Sequence, residues 1–440
     1  MFFKDFRKFE TTLAGRPLVV ETGKMAQLAG GSCLIRYGET EVLCTATMAD
    51  KPREGVDFFP LSVDFEEKLY SVGRIPGSFQ RREGKASEKA TLASRVIDRP
   101  IRPLFPKDMR NDVGVVATVM SVDPDCSPEI TAMIGVSVAI SISAIPWDGP
   151  ISGVSVGLID GEYVINPTEE QRKVSQMAVT VASTKDLVAM IEAGANEVSN
   201  EDMFDGIMYA HKVNQEIVKF IEGIRAEVGK EKIDFPSNDP SPEMFEAIKE
   251  FAIDDVKVAL DTDDKRIRDE ALRPIYAAVH EKFDEVYPDD IAKIDDCMYK
   301  LQKFIVRRWL LDEGKRVDGR GIDEIRPLNA EVDLLSRVHG SGMFTRGQTQ
   351  CLSITTLGPM SDVQMLDGID NETEKRYIHH YNFPSYSVGE TRPSRGPGRR
   401  EIGHGALAER ALLPVIPSVE EFPYCIRVVS EVLSSNGSTS

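Results

Sequence analysis

Residues 31–47 read GSCLIRYGETEVLCTAT, and residues 340–356 read GSGMFTRGQTQCLSITT. The two stretches lie 309 positions apart and share six identical residues, among them the pairs Gly38/Gly347 and Thr40/Thr349. Each stretch predicts two short β-strands joined at a Gly-x-Thr turn, because glycine adopts backbone angles that other residues resist. The sequence therefore predicts one supersecondary unit that occurs twice.

Further matches follow in the same order along both halves of the chain. They pair Arg81-Arg82-Glu83 with Arg399-Arg400-Glu401, Leu92–Arg95 with Leu407–Arg410, and Val116–Val119 with Ile426–Val429. Two unrelated α/β domains could share common strand composition, but ordered matches of this kind favour an internal duplication.

The sequence between the two copies has a helical pattern. Pro236–Pro240 is a turn-rich linker, and Ser241-Pro242-Glu243 predicts a helix start with Ser as N-cap. Three amphipathic stripes follow at helical spacing: Phe245, Ile248, Ala252, Val256 and Ala259; Ile275, Val279, Phe283 and Val286; and Ile294, Met298, Leu301, Ile305 and Leu310. We expect three domains, at residues 1–235, 236–311 and 312–440.

Composition narrows the class of protein. The chain has 440 residues and a net charge of −18, which argues against nucleic-acid binding over the whole surface but leaves room for a local basic channel. No stretch approaches 18 uninterrupted apolar residues, so we expect no membrane span. The six cysteines are scattered and predict reduced thiols in a cytoplasmic protein.

Three stretches could carry chemistry. The chain ends with LSSNGSTS at residues 433–440, which is either a flexible tail or, following a strand, a turn whose backbone N–H groups and hydroxyls bind an anion. The first copy has Pro124–Pro128 at the equivalent place, where Asp125 replaces a neutral polar residue. We therefore expect an anion site in the second copy and none in the first.

The second stretch is rich in arginine. Arg392, Arg395, Arg399, Arg400 and His404 surround Gly396-Pro397-Gly398. Adjacent arginines supply forked donors that suit phosphate oxygens, although a solvated loop with a helix-capping histidine is the alternative.

The third stretch is Gly77–Gly84, where Phe79, Gln80, Arg81 and Arg82 follow one another. An aromatic residue beside arginines is typical of loops that stack a base and hold its phosphate. From Arg81 to Arg110 nine positive residues outnumber four negative ones, which indicates an RNA path in an acidic protein. For Arg99 and Arg102, a structural turn with internal ion pairs remains an equal alternative.

These motifs together resemble the polynucleotide phosphorylases, over essentially the whole chain. The resemblance implies an α/β (α+β) fold in which two RNase PH-like (ribosomal-protein S5 domain 2-like) units flank an all-helical insert domain. It also implies a homotrimeric ring and processive 3′→5′ phosphorolysis of single-stranded RNA to nucleoside 5′-diphosphates in mRNA turnover, reversible as polymerisation. Inorganic phosphate would be the co-substrate, with Mg²⁺ assistance, and an RNA helicase and an endoribonuclease would be possible degradosome partners.

The resemblance also assigns residues. Ser438, Thr439 and Ser440 match the family's phosphate-binding serines, and Arg399, Arg400 and His404 match its arginine pair and histidine at the reacting phosphate. Phe79, Gln80, Arg81 and Arg82 match an RNA-binding channel loop, where Gln80 replaces the usual second aromatic residue.

The family's metal-binding aspartates and catalytic lysine follow the serine run. We therefore expect the Mg²⁺ ligands beyond residue 440, assign no metal ligand within this chain, and expect the chain alone to be inactive. A non-catalytic RNA-binding ring subunit and a hydrolytic nuclease are the alternatives. Downstream aspartates and a lysine would favour an enzyme, and released diphosphates would favour phosphorolysis.

Overall fold

A computed structural model describes residues 3–53, 55–56, 58–393 and 395–439. The chain divides into two compact units. The first comprises the chain up to Pro236 together with Gly358–His379 and Pro397–Ile426. The second comprises Ser237–Leu357, His380–Gly396 and the chain from Arg427 onward.

The described residues form seventeen strands and eight α-helices. The strands are β1 (Arg7–Leu13), β2 (Arg16–Thr22), β3 (Gly31–Tyr37), β4 (Thr40–Pro52), β5 (Leu61–Glu66), β6 (Asn111–Ser121), β7 (Ser152–Ile159), β8 (Glu162–Ile165), β9 (Met177–Ser183), β10 (Val188–Ala195), β11 (Leu328–Val332), β12 (Gly340–Arg346), β13 (Thr349–Gly358), β14 (Gln364–Met365), β15 (Glu374–Lys375), β16 (Tyr377–Asn382) and β17 (Cys425–Ser434). The helices are α1 (Glu88–Ile101), α2 (Pro128–Ile142), α3 (Glu169–Val174), α4 (Asn200–Val228), α5 (Pro242–Leu260), α6 (Lys265–Phe283), α7 (Ile291–Arg308) and α8 (Arg399–Leu412).

The first copy is built on a six-stranded sheet in the order β1-β2-β3-β4-β6-β5. Its strands pair antiparallel except β5 and β6, which run parallel. The odd positions of β6 from Val113 to Val119 are buried, as the alternation of a strand with one covered face requires. Helix α2 is apolar on every side and buried along nearly its whole length, so it forms the centre of this core.

The duplicated hairpin predicted from the sequence is confirmed in both copies. Strands β3 and β4 pair from Gly31↔Ala46 to Tyr37↔Thr40, and β12 and β13 pair from Gly340↔Thr355 to Arg346↔Thr349. Gly38 and Gly347 lie in the two turns with φ of +57° and +58°. Because this left-handed region favours glycine, both copies keep it at the same place.

The second copy's sheet has the order β11-β12-β13-β17-β16. Strand β17 lies beside β13 as β6 lies beside β4, so the two predicted strands that contain Val116–Val119 and Ile426–Val429 occupy the same place in their sheets.

The first copy continues into a four-stranded sheet, β10-β9-β7-β8. A turn at Asp160-Gly161 joins β7 to β8, and both residues have positive φ. Ser199 caps α4, because its hydroxyl accepts a hydrogen bond from the backbone N–H of Asp202.

The segment after Pro236 is helical as predicted. The Ser241 hydroxyl accepts a hydrogen bond from the Met244 N–H and caps α5. The stripes form one apolar cluster across α5, α6 and α7, but Val286 and Leu310 remain exposed because α6 ends at Phe283 and α7 at Arg308.

One of the matched sequence blocks has different secondary structure in the two copies. Arg399, Arg400 and Glu401 form the first turn of α8, whereas Arg81, Arg82 and Glu83 lie in an irregular loop ahead of α1. Identical residues therefore lie in different local structures in the two copies.

Candidate active site

The serine-rich stretch at the end of β17 is an anchored loop. The Ser435 N–H donates to the Ser387 carbonyl oxygen at 2.8 Å, and Ser435 is buried. Gly437 has φ of +105°, which turns the chain after Asn436. Ser438 is exposed. We call Ser435–Thr439 the serine loop; Ser440, the third candidate phosphate-binding residue, lies outside the described residues.

A threonine from the duplicated turn holds the serine loop by its backbone. The Thr349 hydroxyl accepts from the Asn436 N–H at 3.1 Å and lies 3.3 Å from the Asn436 carbonyl oxygen. The Arg326 guanidinium donates to the same carbonyl oxygen at 3.0 Å. The loop therefore has fixed main-chain partners before any ligand binds.

Two further contacts fix the tip of the serine loop. The Arg346 guanidinium donates to the Ser438 carbonyl oxygen at 2.6 Å, and the hydroxyl groups of Thr439 and Tyr381 lie 2.6 Å apart. These contacts exclude the flexible-tail alternative for the described part of the stretch. They also bring an arginine to Ser438.

The first copy holds the equivalent loop by the same contacts of a threonine hydroxyl with a backbone N–H and carbonyl oxygen, which we call the threonine clasp. The Thr40 hydroxyl accepts from the Asp123 N–H at 2.8 Å and lies 3.3 Å from the Asp123 carbonyl oxygen. Arg16 donates to the Asp125 carbonyl oxygen at 3.0 Å, as Arg326 does in the second copy to the serine loop. Both copies thus have a threonine that holds the loop by its backbone. The two loops differ chemically in their side chains.

The arginine pair begins helix α8. The Gly398 N–H donates to the Glu401 carboxylate at 2.8 Å, which caps the helix from its third residue. The Arg399 guanidinium donates to the Asp64 carboxylate and to the Val63 carbonyl oxygen, both on β5. Arg399 is therefore held in place by the first copy's sheet.

His404 lies one turn further along α8 and faces α1. Burial lowers the pKa of His404 below its usual value, and the positive charges of Arg400 and Arg95 lower it further. Gly403 beside it leaves room for Arg95, since a Cβ there would lie 2.3 Å from the Arg95 Nε. At neutral pH His404 is thus a neutral imidazole among arginines, and Arg400 is exposed to solvent.

The candidate RNA-binding loop projects into solvent. Phe79 is 102% exposed, and Gln80 and Arg82 are exposed as well. Arg81 has φ of +51°, and its guanidinium folds back to the carbonyl oxygens of Pro76 and Gly77 at 3.3 and 3.4 Å. The ring of Phe79 is therefore presented on a loop that arginine hydrogen bonds shape.

Further along the basic stretch, two arginines serve the fold. Arg99 pairs with Glu192 at 3.0 Å, and Arg102 pairs with Asp98 at 2.8 Å. Arg102 thus has an ion pair within its own segment and Arg99 has one with β10, and both residues lie in or directly after α1 instead of in a turn.

No metal-binding group is found among residues 3–53, 55–56, 58–393 and 395–439: none of their His, Cys, Asp and Glu side chains form a set of three or more that could hold an ion. The donor set that Mg²⁺ prefers, several oxygen ligands in octahedral geometry, is thus not met by the described side chains. All six cysteines are free thiols. None of the helices described has the length and apolar character that a membrane crossing requires.

Sequence reasoning missed the supports of these groups. Asp64 is an ordinary strand residue in sequence, and only the fold brings it to Arg399. Arg326 could have been found, because Arg326-Pro327-Leu328 repeats Arg16-Pro17-Leu18 just ahead of the duplicated hairpin.

Family models of the RNase PH type match both copies of the duplicated unit. The family described as "3' exoribonuclease family, domain 1" matches residues 14–146 and 324–440, once for each copy. "3' exoribonuclease family, domain 2" matches residues 149–213, and "Polyribonucleotide nucleotidyltransferase, RNA binding domain" matches residues 243–321 in the helical segment.

Curated relatives narrow the class. The chain is 61% identical to a polyribonucleotide nucleotidyltransferase of Ruminiclostridium cellulolyticum over 99% of its length, and 60% and 57% identical to those of Lachnoclostridium phytofermentans and Clostridioides difficile. In each of the three comparisons the match covers 99% of this chain and 62%, 63% and 62% of the relative, respectively. The chain belongs to the 3′ exoribonuclease (RNase PH) family, and these three relatives are polyribonucleotide nucleotidyltransferases.

Proposed function

We propose that this chain is the catalytic-core portion of a phosphorolytic 3′→5′ exoribonuclease. Inorganic phosphate would attack the 3′-terminal phosphodiester of single-stranded RNA and release nucleoside 5′-diphosphates, and the reverse reaction would extend RNA. The chain spans about 62% of the length of the curated relatives it matches. The proposal therefore concerns the full-length protein.

The observation that carries the proposal is the difference between the two duplicated loops. Both are held by equivalent contacts of a threonine hydroxyl, but Ser438 and Thr439 stand where the first copy has Asp125 and Cys126. A neutral hydroxyl donates to phosphate, whereas a carboxylate repels it. We therefore assign phosphate binding to Ser438, Thr439 and Ser440 of the second copy alone.

The arginine pair is assigned to charge neutralisation. Phosphate and the RNA phosphodiester are both anions, and their approach costs free energy unless positive groups share the charge. Arg399 and Arg400 would supply that charge, and the neutral imidazole of His404 would offer a hydrogen bond without a net charge of its own. These roles involve only side chains of this chain, and no step is assigned to Mg²⁺.

The exposed loop is assigned to RNA guidance. Phe79 would stack on a base, Arg81 and Arg82 would contact phosphates, and Gln80 would contribute polar contacts in place of a second ring. A homotrimeric ring, an RNA helicase and an endoribonuclease as partners, and a cytoplasmic location complete the proposal; the free thiols support that location.

The product nucleotide tests the proposal. Full-length protein is incubated with poly(A), Mg²⁺ and inorganic phosphate, and the released nucleotide is identified by chromatography. We expect ADP that disappears when phosphate is withheld and poly(A) synthesis when ADP alone is supplied.

Two results would contradict the proposal. AMP released without phosphate would indicate hydrolysis, because water would then be the nucleophile. RNA binding with no nucleotide released would instead indicate a non-catalytic ring subunit.

A further inference from the structure

The side chain of Asn436 makes contacts that are separate from the threonine clasp, which involves only its backbone. Its Nδ2 donates to the Gln348 Oε1 at 2.8 Å, and a second contact of 3.5 Å reaches the Asp263 carbonyl oxygen. Asp263 lies just ahead of α6, and the Lys265 N–H at the start of that helix donates to the same Gln348 oxygen at 3.4 Å. The amide of Asn436 thus joins the serine loop to the helical segment.

The first copy has a carboxylate at this place. Asp123 takes the position of Asn436 in the threonine clasp, and its Oδ1 accepts from the Asp125 N–H at 3.0 Å. Its Oδ2 accepts from the N–H of Glu39, the residue equivalent to Gln348, at 3.3 Å. The Asp123 carboxylate therefore occupies one backbone donor of its own loop and one of the turn between β3 and β4, and it adds a negative charge there.

The substitution between copies changes an acceptor into a donor. The Asn436 amide is neutral and directs its NH₂ group away from the loop backbone, toward Gln348 and Asp263. No carboxylate then competes with phosphate for the N–H groups of the serine loop. The same main-chain geometry thereby becomes compatible with an anion in one copy only.

We propose that Asn436 is a positioning residue for inorganic phosphate, which holds the serine loop against Gln348 and the start of α6 without placing a charge in it. The inference rests on the proposed phosphorolytic function. It adds that affinity for phosphate depends on a residue other than the serines, and that the helical segment supports the phosphate-binding loop.

Phosphorolysis of poly(A) at varied phosphate concentration tests this inference in the full-length protein. Asn436→Asp recreates the first copy's chemistry at nearly unchanged volume, so we expect the KM for phosphate to rise at least about tenfold while kcat at saturating phosphate changes less than about twofold. Gln348→Ala removes the amide's partner on an exposed turn, and we expect the KM for phosphate to rise in the same direction. Because Gln348 is exposed, this variant tests the inference even where Asn436→Asp folds poorly.

Asp123→Asn is the matched control, the reverse exchange in the copy without a proposed site. Its KM for phosphate should equal that of the wild type. The thermal unfolding midpoint of each variant separates positioning from a structural role.

An unchanged KM for phosphate in both Asn436→Asp and Gln348→Ala would overturn the inference, as would a loss of kcat and thermal stability without a change in that KM. If the wild-type protein releases ADP and both variants have the wild-type KM for phosphate, the inference is refuted and the proposed function is not. Wild-type protein that releases no ADP overturns the proposed function and the inference with it.

Discussion

The Asp64 carboxylate accepts a hydrogen bond from the Arg399 guanidinium, so a residue on strand β5 of the first copy holds the first residue of helix α8. The same guanidinium donates to the Val63 carbonyl oxygen. A guanidinium has five N–H donors, so two bonds fix its plane and leave others for a substrate phosphate. The copy without a proposed phosphate site therefore contributes to the orientation of a proposed catalytic arginine.

Asp64→Ala should lower kcat/KM for poly(A) phosphorolysis about tenfold, because a misplaced catalytic group can cost up to roughly a hundredfold in rate. The guanidinium of Arg399 would lose one of its two anchors on β5. Steady-state kinetics with ADP detection measures the change. Asp112→Ala is the control, since Asp112 pairs with Arg53 at 3.3 Å on an exposed part of the same sheet and should leave the rate unchanged. Equal rates in the two variants would show that Asp64 does not orient Arg399 for the reaction.

Arg399→Ala and Arg400→Ala should each lower phosphorolysis at least tenfold, since removing one well-placed donor to a developing charge typically costs about 2.7–4 kcal/mol of barrier. The rate is measured at saturating phosphate, so that weakened phosphate binding does not obscure the effect. Arg36→Ala is the control, because Arg36 pairs with Glu41 at 2.6 Å within a strand pair. Near-normal rates at saturating phosphate would refute the assignment of the arginine pair.

The duplicated hairpin was predictable because glycine at a positive-φ turn leaves a direct trace in the sequence. Gly38 and Gly347 mark that turn in both copies, and the following threonines mark the second strand of each hairpin. The apolar spacing of the helical segment likewise gave its three helices. Both signals are local, since they arise from one residue's backbone preference or from one element's periodicity.

The supports of the candidate site were not predictable from local pattern. Asp64 and Arg399 are 335 positions apart, and nothing near either residue indicates the other. Asn436 looks like a turn residue in sequence, and its contact with Gln348 depends on how two loops meet. Such pairs are set by the packing of whole sheets, which short-range periodicity does not encode.

Phe79→Ala should weaken binding of single-stranded RNA. Base stacking on an aromatic ring is worth about 1–3 kcal/mol, so we expect the Kd for a short poly(A) oligonucleotide to rise roughly five- to a hundredfold. Fluorescence anisotropy without phosphate measures binding separately from turnover. Phe204→Ala is the control, because Phe204 is also an exposed aromatic residue, 62% exposed, but lies on helix α4. A Kd equal to that of the control would exclude stacking at Phe79.

Glu129→Gln should change how stability depends on pH. Burial raises the pKa of Glu129 to about 7, and the nearby charge of Glu192 adds to this, while Lys89 and Arg410 oppose it. The folded protein therefore keeps a proton that the unfolded chain releases above its ordinary pKa of 4.5. Because the folded state binds more protons in this window, the stabilising contribution is complete below pH 4.5 and is lost as the pH rises through 7.

Glutamine imitates the protonated carboxyl at every pH, so the variant should unfold at nearly the wild-type temperature at pH 5 and at a higher temperature at pH 8. Thermal unfolding followed by circular dichroism at the two pH values gives the difference. Glu170→Gln is the control, because the Glu170 side chain is 81% exposed on α3. The difference in unfolding temperature between this variant and the wild type should be the same at pH 5 and pH 8. If the difference in unfolding temperature between wild type and Glu129→Gln is the same at both pH values, the Glu129 carboxyl has the same proton affinity in the folded and unfolded chain. Burial at the start of α2 would then not raise its pKa.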